Sequence, residues 1–101
     1  MKLEAAFIFV APGADYKKNR GVVDTEGVCL NVIGVRNYAE AEIVAKEMAD
    51  KGIGAIELCA GFGNEGVARV AKAVSGKAKV GAVRFDTHPG LEFKSGDELF
   101  N

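Results

Sequence analysis

The segment NYAEAEIVAKEMADKG, residues 37–52, lies between two short runs rich in β-branched residues, VCLNVIGV (Val28–Val35) and IGAIELC (Ile53–Cys59). Ala41, Val44, Ala45 and Met48 recur at helical spacing, Asn37 stands at an N-cap position with Glu40 three residues on, and Gly52 supplies a stop. A helix joining two such strands is a crossover connection, and crossovers belong to parallel sheets. Two further runs read as strands: Leu3–Ala11, which ends at Pro12-Gly13, and KVGAVRF, Lys79–Phe85. A shorter helix is expected over Glu65–Val74, with Val67, Val70, Ala71 and Val74 on its apolar side. Between residues 14 and 25, Asp15 is placed to cap a short helix, against which stand Gly21 and the paired Val22-Val23.

The expected order is therefore β-α-β-α-β-α-β in one domain of 101 residues. Side chains alternate along a strand, so Ile56 and Leu58 point one way and Glu57 and Cys59 the other; Val83 and Phe85 likewise oppose Arg84 and Asp86. A doubly wound sheet, buried on both faces, requires near-continuous apolar strands. One apolar and one polar face suit a two-layer α/β arrangement instead: a mainly parallel four-stranded sheet with helices on one face, curved like part of a barrel. A small Rossmann-like open sheet is the alternative. The residues from Gly90 to Asn101, polar with Leu91, Phe93 and Leu99 spaced along them, read as an arm.

Hydrophobic residues at 49% and charged residues at 27% fit a soluble globular protein. Lys+Arg 13 against Asp+Glu 14 gives a net charge of -1, which argues against nucleic acid or a membrane as partner. The longest apolar run, AAFIFVAP, is too short to span a bilayer and has no signal-peptide cleavage pattern. Cys29 and Cys59 lie in strand-like segments without metal or redox spacing, as reduced thiols of a cytoplasmic protein would. One histidine and two separated cysteines make no zinc site, and no lysine lies mid-strand for Schiff-base chemistry.

The chemistry-bearing stretch is IELCAGFGNEG, residues 56–66. Gly61, Gly63 and Gly66 follow a strand and open a helix, with Asp86 near the distance at which a dinucleotide fold places its ribose-binding carboxylate. Against nucleotide binding, Glu65 puts a negative charge where the pyrophosphate would sit, and the strand carries Glu57 and Cys59 where that fold wants small apolar residues. A plain strand-to-helix turn is the more ordinary explanation of the glycines. Parallel sheets bind ligands at the C-terminal ends of their strands, and Glu57, Cys59, the Gly61–Gly63 amides, Arg84, Asp86 and His88 converge at that edge. Glu57 and Arg84 on adjacent strands can be an ion pair, Cys59 a core hydrophobe and His88 a turn residue bonded to Asp86. The alternative is that they act: Glu57 as acid or base, His88 oriented by Asp86 as base, and Cys59 as nucleophile.

The runs AFIFVAPGAD, AIELCAGFG and VGAVRFD with His88-Pro89 after it resemble a family of uncharacterised proteins of about this length, a domain of unknown function. The resemblance covers nearly the whole chain. That family's motif reads Glu-Leu-Cys-Gly-Gly-Phe-Gly, so Ala60 here replaces a glycine. The resemblance implies a signature of Glu57, Cys59, Gly61, Gly63, Arg84 and Asp86, and no activity. Three readings follow. One is a pocket at the strand ends for a small anionic ligand, with Arg84 as clamp, the Gly61–Gly63 amides as anion holders and Glu57, Cys59, Asp86 and His88 as candidate catalytic groups. The second is nucleotide binding through Gly61, Gly63 and Gly66; the third is a non-catalytic homodimer closing the polar face. No cofactor and no metal is assigned.

Overall fold

The computed structural model describes residues Met1–Asn101. Its sheet has five strands rather than four. β1 (Leu3–Val10) is central, with β3 (Val28–Val35) and β4 (Ala55–Leu58) parallel on either side. β5 (Lys79–Ala82) continues the parallel set beyond β4, and β2 (Arg20–Asp24) runs antiparallel to β3 at the other edge. The order β2-β3-β1-β4-β5 leaves both edges free, so the sheet is open and does not close as a barrel.

β2 replaces the helix that Asp15 was expected to cap. Asp15 instead caps a turn, its carboxylate accepting from the Lys17 N–H at 2.9 Å. The hairpin into β3 is closed by Thr25, whose N–H donates to the Val28 carbonyl and whose hydroxyl oxygen accepts from the Val28 N–H at 3.0 Å. The strands are also shorter than expected. β4 starts after Ile53-Gly54, and β5 stops at Ala82, so Val83–Asp86 extend past the sheet.

α1 (Tyr38–Asp50) forms as its pattern dictates. The Asn37 side chain accepts from the Glu40 N–H at 2.9 Å, while the Glu40 carboxylate reaches one residue further back, to the Arg36 N–H. At the other end Gly52, at φ +90°, donates to the Ala49 carbonyl, and the Ile53 N–H donates to that of Met48. This is a Schellman ending, in which the left-handed residue must be one without a side-chain penalty.

α2 (Asn64–Ala73) and the one-turn α3 (Gly96–Leu99) complete the fold, α3 following a 3₁₀ turn at Pro89–Leu91. Ala6, Ile8 and Val10 of β1, Ile33 and Val35 of β3, and Ile56 and Leu58 of β4 are buried in one cluster with Tyr38, Ala41, Val44, Ala45 and Met48 of α1 and Val70 of α2. Phe100 joins that cluster, which anchors the C-terminal arm to the body of the protein. The alternate residues Phe7, Phe9, Leu30 and Val32 stay half-buried, and Glu57 is exposed among them, opposite Phe7 in the register. The sheet side expected to be polar is thus mostly apolar around one carboxylate. No helix is long and apolar enough to cross a membrane.

Candidate functional site

α2 has a glycine, Gly63, at its N-cap, so it begins without a side chain to satisfy its first N–H groups. Asp97, from α3, takes that role across the fold. Its Oδ2 accepts from the Glu65 N–H at 3.0 Å, and its Oδ1 from the Gly66 N–H at 3.1 Å and the Tyr38 hydroxyl at 2.8 Å. The Tyr38 oxygen in turn accepts from the Gly63 N–H at 3.0 Å. Burial opposes the charge on Asp97, but these three donors outweigh it and hold its carboxyl below the usual range. Tyr38 is pushed the other way, first by burial and then by the adjacent carboxylate, so it remains a neutral phenol. Its ring stacks on Phe62, with centroids 5.4 Å apart, and Arg69 sits 5.7 Å from its centroid.

The glycine spacing has its reason in this knot. A Cβ on Gly63 would come within 2.5 Å of the Asp97 carboxyl carbon, and one on Gly66 within 2.5 Å of the Tyr38 ring. The glycines admit the arm and the phenol. The amides of Glu65 and Gly66, which a pyrophosphate would need, are bonded to the chain's own carboxylate.

Beside the knot, over the C-terminal ends of β4 and β5, lies an open cavity of about 460 Å³. Phe62, Val67, Val83 and Phe85 form its apolar wall, and Asn64, Arg84, Lys94 and Ser95 line its polar side. Arg84 donates through Nε to Asp86 at 2.9 Å; both side chains are largely exposed, a setting in which an ion pair stabilises by at most about 1 kcal/mol. Lys94 makes no ion pair within the chain. Asn64 opens α2, so its N–H has no intrahelical acceptor.

Of the residues singled out in the sequence, Gly63, Arg84 and Asp86 line this cavity. Gly61 is buried in the turn behind it, and Glu57 is on the sheet, two residues before the Cys59 turn. Glu57 and Arg84 do not pair, because β5 ends before Arg84 and Arg84 bonds Asp86. Cys59 is half-buried, its sulfur accepting from the N–H groups of Val10 at 3.4 Å and Gly61 at 3.3 Å. His88 uses Nδ1 to accept from the Gly90 N–H at 2.9 Å and packs on Phe85, centroids 4.5 Å apart. No hydrogen bond links Cys59, Asp86 and His88 to one another. Both cysteines are free thiols; Cys29 is level with Glu4 in the register, near the start of β1, whereas Cys59 follows the far end of β4.

Four polar residues of the site escape a sequence reading: Tyr38, Asn64, Lys94 and Asp97. The only local signal is Ser95 with Glu98 three residues on, which forms a capping box for α3 and fixes the turn that carries Asp97.

The chain belongs to DUF6506, a family of unknown function, whose pattern matches residues 3–98. That span takes in both the cavity and Asp97. No curated protein and no solved structure matches the chain.

Proposed function

We propose that the protein binds a small anionic organic molecule in the cavity at the C-terminal ends of β4 and β5. One observation carries this reading: three donors with spare capacity, the Arg84 guanidinium, the Lys94 ammonium and the Asn64 N–H, border one concave space with an apolar wall. Arg84 commits only Nε to Asp86, which leaves its two terminal nitrogens for a carboxylate or phosphate. The Asn64 N–H lies at the positive end of α2, where a negative charge is favoured. Phe62, Val67, Val83 and Phe85 would pack the body of the ligand.

Binding is favoured over catalysis by what the cavity brings together. Cys59, Glu57 and His88 are not among its lining residues, and Asp97 has both oxygens bonded to protein donors. Nucleotide binding through Gly61, Gly63 and Gly66 would first have to displace Asp97, an anion already matched to those amides.

The test is a thermal-shift panel of small keto acids, sugar phosphates and nicotinamide nucleotides, run on wild type, Lys94→Ala and Arg84→Lys. A ligand at 100 times its Kd raises stability by about 2.7 kcal/mol, several degrees or more in a domain of this size. The reading expects a keto acid or sugar phosphate to stabilise wild type and both variants to lose most of the shift. A shift that survives both substitutions, or no shift from any member, refutes it.

A further inference from the structure

We propose that two copies of this chain pair through the sheet face that α1 and α2 do not cover, related by a two-fold axis running across the strands at the level of Ala6, Asn31 and Ile56. Apart from Ala5 and Gly34, the buried strand residues pack against the helices, and their alternates carry Leu3, Phe7 and Phe9 of β1 and Leu30 and Val32 of β3 on the opposite side, around the buried Ala5. Leu3, Phe7, Phe9, Leu30 and Val32, the last four half-buried, form one patch on two adjacent eight-residue strands. Leu3 is 47% exposed, and Val23, beside Leu30 on β2, is 58% exposed. Contiguous exposed apolar surface of this kind marks an interaction site rather than ordinary solvent surface.

A second copy is the occupant that fits. The whole five-stranded face offers roughly 450 Å² per protomer in projection, at about 16 Å² for each strand residue. Two copies thus bury roughly 900 Å² before the corrugation of the side chains is counted, the size of a weak, reversible association. The register adds complementarity. An axis across the strands at the Ala6 level exchanges the Ala5 and Phe7 levels, so the Phe7 ring of one copy meets Ala5 of the other. Leu3 then meets Phe9, and Leu30 meets Val32. Large side chains face small or equal ones, as two sheets packed about 10 Å apart require.

Charge follows the same symmetry. Glu57 and Lys79 are the ionisable residues that β4 and β5 place on this face, and neither has an ion-pair partner in its own chain. Lys79 is level with Ala55, and Glu57 is one face position further along the neighbouring strand. The same axis brings Glu57 of each copy beside Lys79 of the other, giving two symmetric ion pairs at the rim.

The experiment is sedimentation equilibrium across a wide concentration range, with circular dichroism of each variant as the control for folding. Wild type should rise towards twice 10.6 kDa at the upper end of that range. Phe7→Glu and Val23→Glu should each shift the population towards the 10.6 kDa monomer with the spectrum unchanged. Glu57→Lys should weaken association roughly tenfold, since it affects two symmetric pairs at once, and adding Lys79→Glu should restore it. Should Phe7→Glu fail to fold, Val23→Glu on the exposed edge strand decides the matter alone. A wild type that is monomeric throughout, or a dimer that both glutamate variants leave intact, overturns the proposal.

Discussion

Replacing Asp97 tests how the arm is held to the site. In Asp97→Ala the N–H groups of Glu65 and Gly66 lose their cap, which costs about 1 kcal/mol in the ordinary case and up to ~2. The buried Tyr38 also loses the acceptor for its hydroxyl, at a cost of about 1–3 kcal/mol. The expected loss is therefore about 2–5 kcal/mol, or roughly 10–25 °C in Tm for a domain of this length. Asp97→Asn is the informative partner. Its single carbonyl can still accept from Tyr38 and the Gly66 N–H, as Oδ1 does now, while its amide nitrogen turns a donor towards the Glu65 N–H. It should fall between wild type and alanine, about 1–2 kcal/mol down. Urea unfolding followed by circular dichroism measures both. An alanine variant within ~0.5 kcal/mol of wild type would refute the idea that Asp97 joins arm, phenol and helix.

Three further outcomes concern the knot and the cavity beside it. Gly66→Ala drives a methyl into the Tyr38 ring and should cost about 1–3 kcal/mol in the same urea assay, whereas Gly54→Ala, where a Cβ meets nothing within 4 Å, should cost far less. Acid should loosen the arm. The folded Asp97 carboxyl lies below its unfolded value of about 3.9, so its stabilisation is present above that pH and is lost as pH falls through about 4 towards the folded value. Asp97→Asn should accordingly lose less stability than wild type between neutral pH and pH ~3, read from unfolding midpoints at each pH. Lys94→Ala, at an exposed site without an ion pair, should unfold within ~0.5 kcal/mol of wild type while losing ligand.

Much of this architecture is legible in the sequence because local signals and burial agree. α1 has its apolar stripe, its Asn37 cap and its Gly52 stop in one segment, and each does in the structure what its chemistry favours. β2 was obscured because an edge strand exposed at all five residues needs no apolar alternation, and Gly21 with Val22-Val23 supplies none. Thr25-Glu26-Gly27 between two β-rich runs was the available hairpin signal. The glycine stretch was legible as a special turn but not as to what approaches it, since the approaching groups, Tyr38 and Asp97, lie 25 to 32 residues away from the amides they bond. The polar face differs for a related reason. Lys79–Phe85 reads as one strand, which sets Arg84 on the strand beside Glu57, and with β5 ending at Ala82 the two part company. What then dominates that face is Phe7, Phe9, Leu30 and Val32, whose side no single strand's pattern reveals.

The central claim, a ligand cavity at the strand C-termini, is tested most directly by residue-resolved amide NMR. Uniformly labelled protein would be titrated with whichever keto acid or sugar phosphate gives the largest thermal shift. The account predicts saturable shifts concentrated at Asn64, Arg84, Lys94 and Ser95, with β2 and the far end of β1 unmoved. Saturable shifts centred on Glu57 and the open sheet face, or none at the four cavity residues, would contradict it.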